Sequence, residues 1–392
     1  MKKYDERETL FARVHLKKNT EDYKTFYEKN PTYKIKDDKV RGVSFRDKIK
    51  KSDRYKELFL PLNKPNKPLI KSVFLAAKDY EVNKDRVSVP KEFSKNIKEI
   101  TKYFGATDVG IVKLNDYHYY SHFGGVNETV GIKNYNEEVK KVYKTAIVFT
   151  VKMDLDMMNR APNFEELLTT EDGYLKVAYI GAKLEMYLKE LGYKSQSQNG
   201  EYYLTPQVPL AVDAGLGEIG MANHLVTKEY GNNVRIGSVL TTLELDYDEP
   251  IDYGLHDFCK KCALCLMNCP SKAITHKTRE VNGRTWYKFD DNKCYEVWTK
   301  MGTDCGTCIQ ACPFTQLIDL DKVNQMKDNE EMMDQIMKEH FDKHGRRNYI
   351  KNDLPIVTFK EEDDEWNWCT WNDGKWSEKK DWTIHRITTR IC

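Results

Sequence analysis

Eight of the ten cysteines fall in two runs whose spacing could grip iron. The first run is Cys259, Cys262, Cys265 and Cys269, followed by Pro270. The second is Cys294, Cys305, Cys308 and Cys312, followed by Pro313. Three thiolates in a tight turn can hold three irons of one cubane, and the fourth, set apart and followed by proline, ligates the other cluster. That rule predicts a crossed assignment. Cluster one takes Cys259, Cys262, Cys265 and Cys312; cluster two takes Cys269, Cys294, Cys305 and Cys308. Zinc usually takes four ligands in two separated pairs, which the triplet plus Cys-Pro does not match. A disulfide framework belongs to short secreted chains. The spacing therefore points to two 4Fe–4S clusters in series, a one-electron wire from surface to interior. Cys369 and Cys392 lie outside both runs and read as a buried thiol and a terminal residue.

A wire needs an acceptor, and the chain ahead of the cysteines is long enough to hold one. At 392 residues it exceeds what one hydrophobic core usually serves. The predicted organisation is an α/β protein in four parts: a wrapping segment at 1–90, a core at 91–255, a ferredoxin-like module at 256–318, and a C-terminal helix with a Trp-rich tail at 319–392. In the first part, the prolines at 61, 65 and 68 predict short helices and extended pieces, and its aromatics, Phe45 among them, argue against disorder. In the core, Phe93, Ile97, Ile100 and Phe104 repeat at helical spacing up to Gly105. Strands are predicted at 109–112, 146–151 and 235–243. A helix is predicted from Gly173 to Glu190, with 203–212 extended. The glycine-rich turn Gly215-Leu216-Gly217-Glu218-Ile219-Gly220 allows close backbone approach to a flat ligand or phosphate, or is a plain tight turn; it has neither the Walker lysine nor the dinucleotide spacing. After the second cysteine run one amphipathic helix is predicted at 321–340, its Met332, Met333, Ile336 and Met337 filling a core. Trp366, Trp368, Trp371, Trp376 and Trp382 read as packing for a small subdomain.

Charge excludes some partners. With 63 basic and 61 acidic side chains the net charge is +2, which gives no reason to expect nucleic acid or an anionic membrane. No stretch approaches the ~18 apolar residues of a membrane helix. The start, Met1 to Arg7, has no apolar run and no twin arginine. The expectation is a cytoplasmic protein, or an exported one whose signal is absent from this sequence.

In order and spacing, several segments together resemble the cobalamin-dependent reductive dehalogenases. They are Asp5-Glu6-Arg7 with Phe11-Ala12-Arg13, Asp37-Asp38 with Arg41, Leu191-Gly192-Tyr193, Ala214 to Glu218, Tyr230-Gly231, Arg235, Pro250 to Gly254, and the cysteine runs ending Cys312-Pro313-Phe314. The resemblance implies a nitroreductase-like core binding cobalamin base-off, with a docked ferredoxin-like module. It implies reductive removal of halogen from a small organohalide, with electrons from an external low-potential donor. It places the corrinoid against Gly215, Leu216, Gly217, Glu218 and Gly220. It makes Tyr174 the proton donor, with Tyr179 behind it, and Asn199 a substrate-pocket residue. The chain departs from the family at Met221, where an Arg or Lys usually stands near the Tyr; without that cation, Tyr174 is expected to be a weaker acid in a more apolar pocket. Two other readings fit the cysteines. An epoxyqueuosine reductase acting on transfer RNA would favour a basic docking surface and a C-terminal helical repeat. A non-catalytic electron carrier would not need so large a domain ahead of its clusters.

Overall fold

The computed structural model describes residues 1–43, 60–90, 92–125, 134–200 and 202–346, and the backbone of 369–372 and 375–378. At its centre is a four-stranded antiparallel sheet in the order β1-β2-β6-β3, formed by β1 (Asp108–Lys113), β2 (Thr145–Lys152), β3 (Ser195–Gln198) and β6 (Val234–Thr241). In β2, Ala146 and Val148 face one core while Ile147, Phe149 and Val151 face another. Helices Phe93–Tyr103 and Phe164–Glu190 cover the second face, and helix Gln207–Asp213 covers the first. A strand covered on both faces has no use for polar alternation, so β2 is an unbroken apolar run.

Helix Phe93–Tyr103 ends at Gly105 in a left-handed conformation, as its spacing predicts. The next long helix differs from expectation. It spans 27 residues, Phe164–Glu190, and begins nine residues before Gly173. The added turns read as polar, but their carboxylates are buried against specific partners: Glu165 on Arg160, Glu166 on Thr170. Residues 207–213, expected to be extended, are a helix entered through Pro206; Pro209 falls in its first turn, where no N–H is required. The same reason admits Pro68 to helix Asn66–Asp79. The Met-rich helix is two, Leu320–Asn324 and Glu330–His344, separated by a turn with Asp328 at positive φ. Its Met333 and Ile336 do pack inward, beside Phe258 and Phe314.

Two smaller pairs flank the sheet. β4 (Glu218–Ile219) pairs with β5 (Leu225–Val226). β7 (Ile274–Val281) and β8 (Arg284–Phe289) form a hairpin inside the cysteine-rich segment, turned by Asn282-Gly283, both at positive φ, as a two-residue turn demands. The tail forms a hairpin of β9 (Cys369–Asn372) and β10 (Lys375–Glu378), with Trp371 opposite Trp376. Phe45, Trp366, Trp368, Trp382 and Cys392 lie outside the described residues. No helix among the described residues is long and apolar enough to cross a membrane.

Helices Leu10–His15, Glu21–Lys29 and Pro31–Val40 wrap the cysteine-rich segment. Their anchor is a buried ion pair, Arg13 Nε to Asp37 Oδ2 at 3.0 Å. Tyr27 Oη donates to Asp37 at 2.8 Å, and Asn292 Nδ2 donates to it at 2.6 Å. Asn292 stands two residues before Cys294, so the anchor also holds the helix that carries this cysteine. Removing one partner of a buried pair leaves an uncompensated charge. Asp37→Ala is therefore expected to destabilise the protein by about 3–5 kcal/mol, read as a lowered urea midpoint under anaerobic conditions. A midpoint unchanged from wild type would show that the pair contributes nothing.

Candidate functional site

Short helices and turns bring the cysteines together. Helix Leu255–Cys262 carries Cys259 and Cys262, and Ala263, in a left-handed conformation, turns the chain into helix Leu264–Asn268 with Cys265. Cys294 sits on helix Asp291–Met301, and Cys308 on helix Thr307–Gln310 after left-handed Cys305 and Gly306. The thiols gather as two quartets. Burial raises Cys259, Cys262 and Cys265, and the neighbouring Cys312 sulfur adds to the rise in each. Burial likewise raises Cys294, Cys305 and Cys308, each of which also feels the Cys269 sulfur. Cys262 and Cys305 are pushed up to about 12 and Cys312 to about 11. Thiols buried this close together resist ionisation; bound iron, which takes thiolate, reverses that balance. The donor set fits two cubanes, with the Cys312 sulfur close enough to bear on the first run's triplet.

The glycine-rich turn is used inside the protein. A Cβ on Gly217 would lie 2.2 Å from the Val226 carbonyl oxygen, and one on Gly215 would lie 2.6 Å from that of Glu249. Gly220 closes the β4–β5 turn against Val226, and Leu216 is buried in the core. The Glu218 carboxylate accepts from the backbone N–H of Tyr253 at 2.7 Å and of Leu255 at 3.3 Å. It thus clasps the start of the first cysteine helix to the core. Met221 is buried beside Cys259, Cys265, Cys269 and Cys308, where an apolar side chain suits the surroundings.

Tyr174 lies on helix Phe164–Glu190 with 36% of its surface exposed. The Arg235 guanidinium, from β6, stands 4.8 Å from its ring centroid. Two glycines make that stack possible. A Cβ on Gly173 would come within 2.8 Å of Arg235 Cγ, and one on Gly200 within 3.1 Å of the Tyr174 ring. The structure therefore brings a cation to Tyr174 where the sequence, judged at Met221, predicts none. Asn199 adjoins the same ring through Gly200; its side-chain oxygen accepts the Tyr202 N–H at 3.2 Å and shapes the turn. Tyr179 is elsewhere. Five residues along a helix place it roughly 140° around the axis, where it is half exposed and close to Lys183.

Beneath Arg235 lies a buried acidic pair. Arg235 Nη2 donates to Thr170 Oγ1 at 2.8 Å and stands 3.8 Å from Asp304 Oδ2. Thr170 donates to Glu166 at 3.1 Å. Burial, and then the facing Asp304 carboxylate, pushes the Glu166 carboxyl well above the usual range, favouring a form that can donate to Asp304. Gly306, between Cys305 and Cys308, leaves no room for a Cβ beside Glu166. Burial, then Arg235, pushes His224 down to about 4, so its ring is neutral near pH 7. Glu166, Asp304 and this role for Arg235 were not read from the sequence; no motif marks them, because their partners come from three distant segments.

A family model described as a 4Fe–4S dicluster domain matches residues 258–316, the span of both cysteine runs. The tetrachloroethene reductive dehalogenase of Sulfurospirillum multivorans is 31% identical over 281 residues, which is 63% of this chain and 56% of that protein. The chain is thus similar in sequence to the reductive dehalogenases. It spans about half the length of the curated relatives it matches. In fold it is similar to a catabolic reductive dehalogenase, at a TM-score of 0.67 and 18% identity over 96% of this chain and 50% of that one. A second solved reductive dehalogenase, described with a mechanism for B12-dependent dehalogenation, gives a TM-score of 0.59 at 20% identity over 79% of this chain and 44% of that one. The mixed helix-and-sheet core with its ferredoxin-like dicluster module is thus the architecture of the family.

The quartets carry a direct test. Cys312→Ala is expected to damage the cluster held by Cys259, Cys262 and Cys265 while sparing its partner, leaving about four of eight irons per chain. Electron paramagnetic resonance of the reduced variant distinguishes the two sites. Loss confined to the Cys294 cluster would refute the crossed assignment.

Proposed function

We propose that this protein removes halogen reductively from a small organohalide. In balance, the substrate takes two electrons and one proton, its carbon–halogen bond breaks, a carbon–hydrogen bond forms, and halide leaves. Electrons enter one at a time from an external low-potential donor through the two 4Fe–4S clusters. Tyr174 gives the proton. One observation carries the reading: a line of contacts runs from Asp304, beside Cys305, through Glu166 and Thr170 to Arg235 and the ring of Tyr174, so a proton donor would stand close to the second thiol quartet. A phenol, with an ordinary pKa near ~10, is protonated at neutral pH and can act as an acid.

Similarity to the reductive dehalogenases also supports cobalamin, bound base-off, as the group that takes the electrons. It would supply the low-valent metal chemistry that cleaves a carbon–halogen bond. The residues fit a large group rimmed with amides. Arg235 Nε and both polar atoms of the Asn163 amide are buried with no hydrogen-bond partner among the described residues, and such a rim would satisfy them. Gly215, Leu216, Gly217, Glu218 and Gly220 would then support the site from behind, through the packing that fixes Met221 and the first cysteine helix. A collision at 2.2 Å means that Gly217→Val reports on folding, so it cannot isolate a cofactor contact. Asn199, held in its turn beside the Tyr174 ring, would set the wall against which the substrate lies.

Tyr174→Phe removes the proton and little else. Turnover is expected to fall about 10²–10⁴-fold, the range of a lost general acid, with iron and cobalt content unchanged. The measurement is halide release from a panel of aryl and alkyl halides by anaerobically reconstituted protein. Normal turnover by the variant would assign proton supply to solvent or another group. Absorption showing iron–sulfur bands but no corrinoid after reconstitution would instead favour an electron carrier.

A further inference from the structure

We infer that Arg235 is the positioning cation for Tyr174, performing from β6 the task that Met221 cannot perform from the glycine-rich turn. The inference rests on the reading of Tyr174 as proton donor and adds the residue that makes it effective. When the phenol O–H bond breaks and its proton bonds to the substrate carbon, negative charge remains on the phenol oxygen and spreads into the ring. A guanidinium stacked on that ring is attracted to it before transfer and more strongly once the ring carries charge. This is stabilisation of the kind that grows toward the transition state.

The surroundings keep Arg235 in that role. Its Nη2 is tied to Thr170 at 2.8 Å, and Gly173 gives its stem room to lie flat against the helix. The groups facing the pair are Glu166 and Thr170 from the helix of Tyr174, Asp304 from the loop before Cys305, His224 from the β4–β5 turn, and Tyr203. Burial lowers His224, so it brings no competing cation. Asp304 stands at 3.8 Å, longer than a hydrogen bond. Arg235 is therefore not fully neutralised from below, and its face remains available to the ring above. Substitutions that keep Met221 but remove Arg235 should thus expose the same defect that loss of the usual cation would cause in a relative.

The test uses the complete chain. Arg235→Gln is expected to lower kcat by about tenfold, the effect of losing a cation–ring contact that strengthens as charge develops on the ring, with KM changed little. Arg235→Lys should recover much of kcat, and iron content should match wild type in both. A second readout needs no corrinoid and no turnover. In protein carrying only its clusters and labelled with 3-fluorotyrosine, the Tyr174 resonance, assigned by its absence in Tyr174→Phe, should shift in Arg235→Gln. An unchanged resonance, or wild-type kcat in Arg235→Gln, would overturn the inference. If Tyr174→Phe turned over normally while the Tyr174 resonance still moved with Arg235, the contact would stand and the proton-donor reading would fall.

Discussion

The crowding of eight partly or fully buried thiols into two quartets is the constraint on which the rest depends. Like charges this close cannot form without a compensating cation, and burial removes the water that could screen them. Iron resolves the conflict by binding thiolate. Around that requirement the chain is arranged to hold Cys residues in conformations they would not choose. Cys305 and Ala263 take left-handed backbone, which costs most side chains about 1–2 kcal/mol. The clasp of Glu218 on Tyr253 and Leu255, and the anchor of Asp37 on Asn292, hold the two cysteine helices from opposite sides. Both clasps use a carboxylate with two or more donors, Asp37 fully buried and Glu218 partly so, and leaving either unsatisfied is costly.

The same economy of burial shapes the proton-donating side. Glu166 and Asp304 face each other in a place where two full negative charges would repel. Arg235 stands above them, and Tyr174 stands above Arg235. Each member needs its neighbour: the guanidinium would be expensive to bury without the acids, and the acids would be expensive without the guanidinium. The ring of Tyr174 covers the stack on the exposed side. This gives the first turns of the long helix a polar sequence and a buried location at once. It is also why its start is misplaced by a reading that equates polarity with exposure.

The cysteine runs were legible because metal ligation is local. Most ligands of one cubane sit within a turn or two of one another, so their spacing along the chain reports spacing in space, and the fourth is marked by the proline that follows it. The central strands were legible because burial on both faces leaves an apolar run. The glycine-rich turn was legible as a feature but ambiguous in meaning. A glycine that admits a ligand and a glycine that admits a neighbouring carbonyl read alike, and here Gly217 admits Val226. Similarly, the helix at 207–213 was hidden by two prolines whose effect depends on whether they fall before or after a helix's first turn.

What the sequence determined by itself is the dicluster module and the resemblance: two ferredoxin-like cysteine runs, and a tyrosine on a helix behind the sheet. What only the tertiary structure decided is the company that tyrosine keeps. Arg235 is 61 residues from Tyr174, and Asp304 is farther still. No local period or spacing relates them, and the position at which a cation is customary, Met221, points instead into the packing around the cysteines. The physical reason is that electrostatic stabilisation depends on distance in space and is indifferent to the route of the chain. A charge can be supplied from any strand that the fold brings within reach.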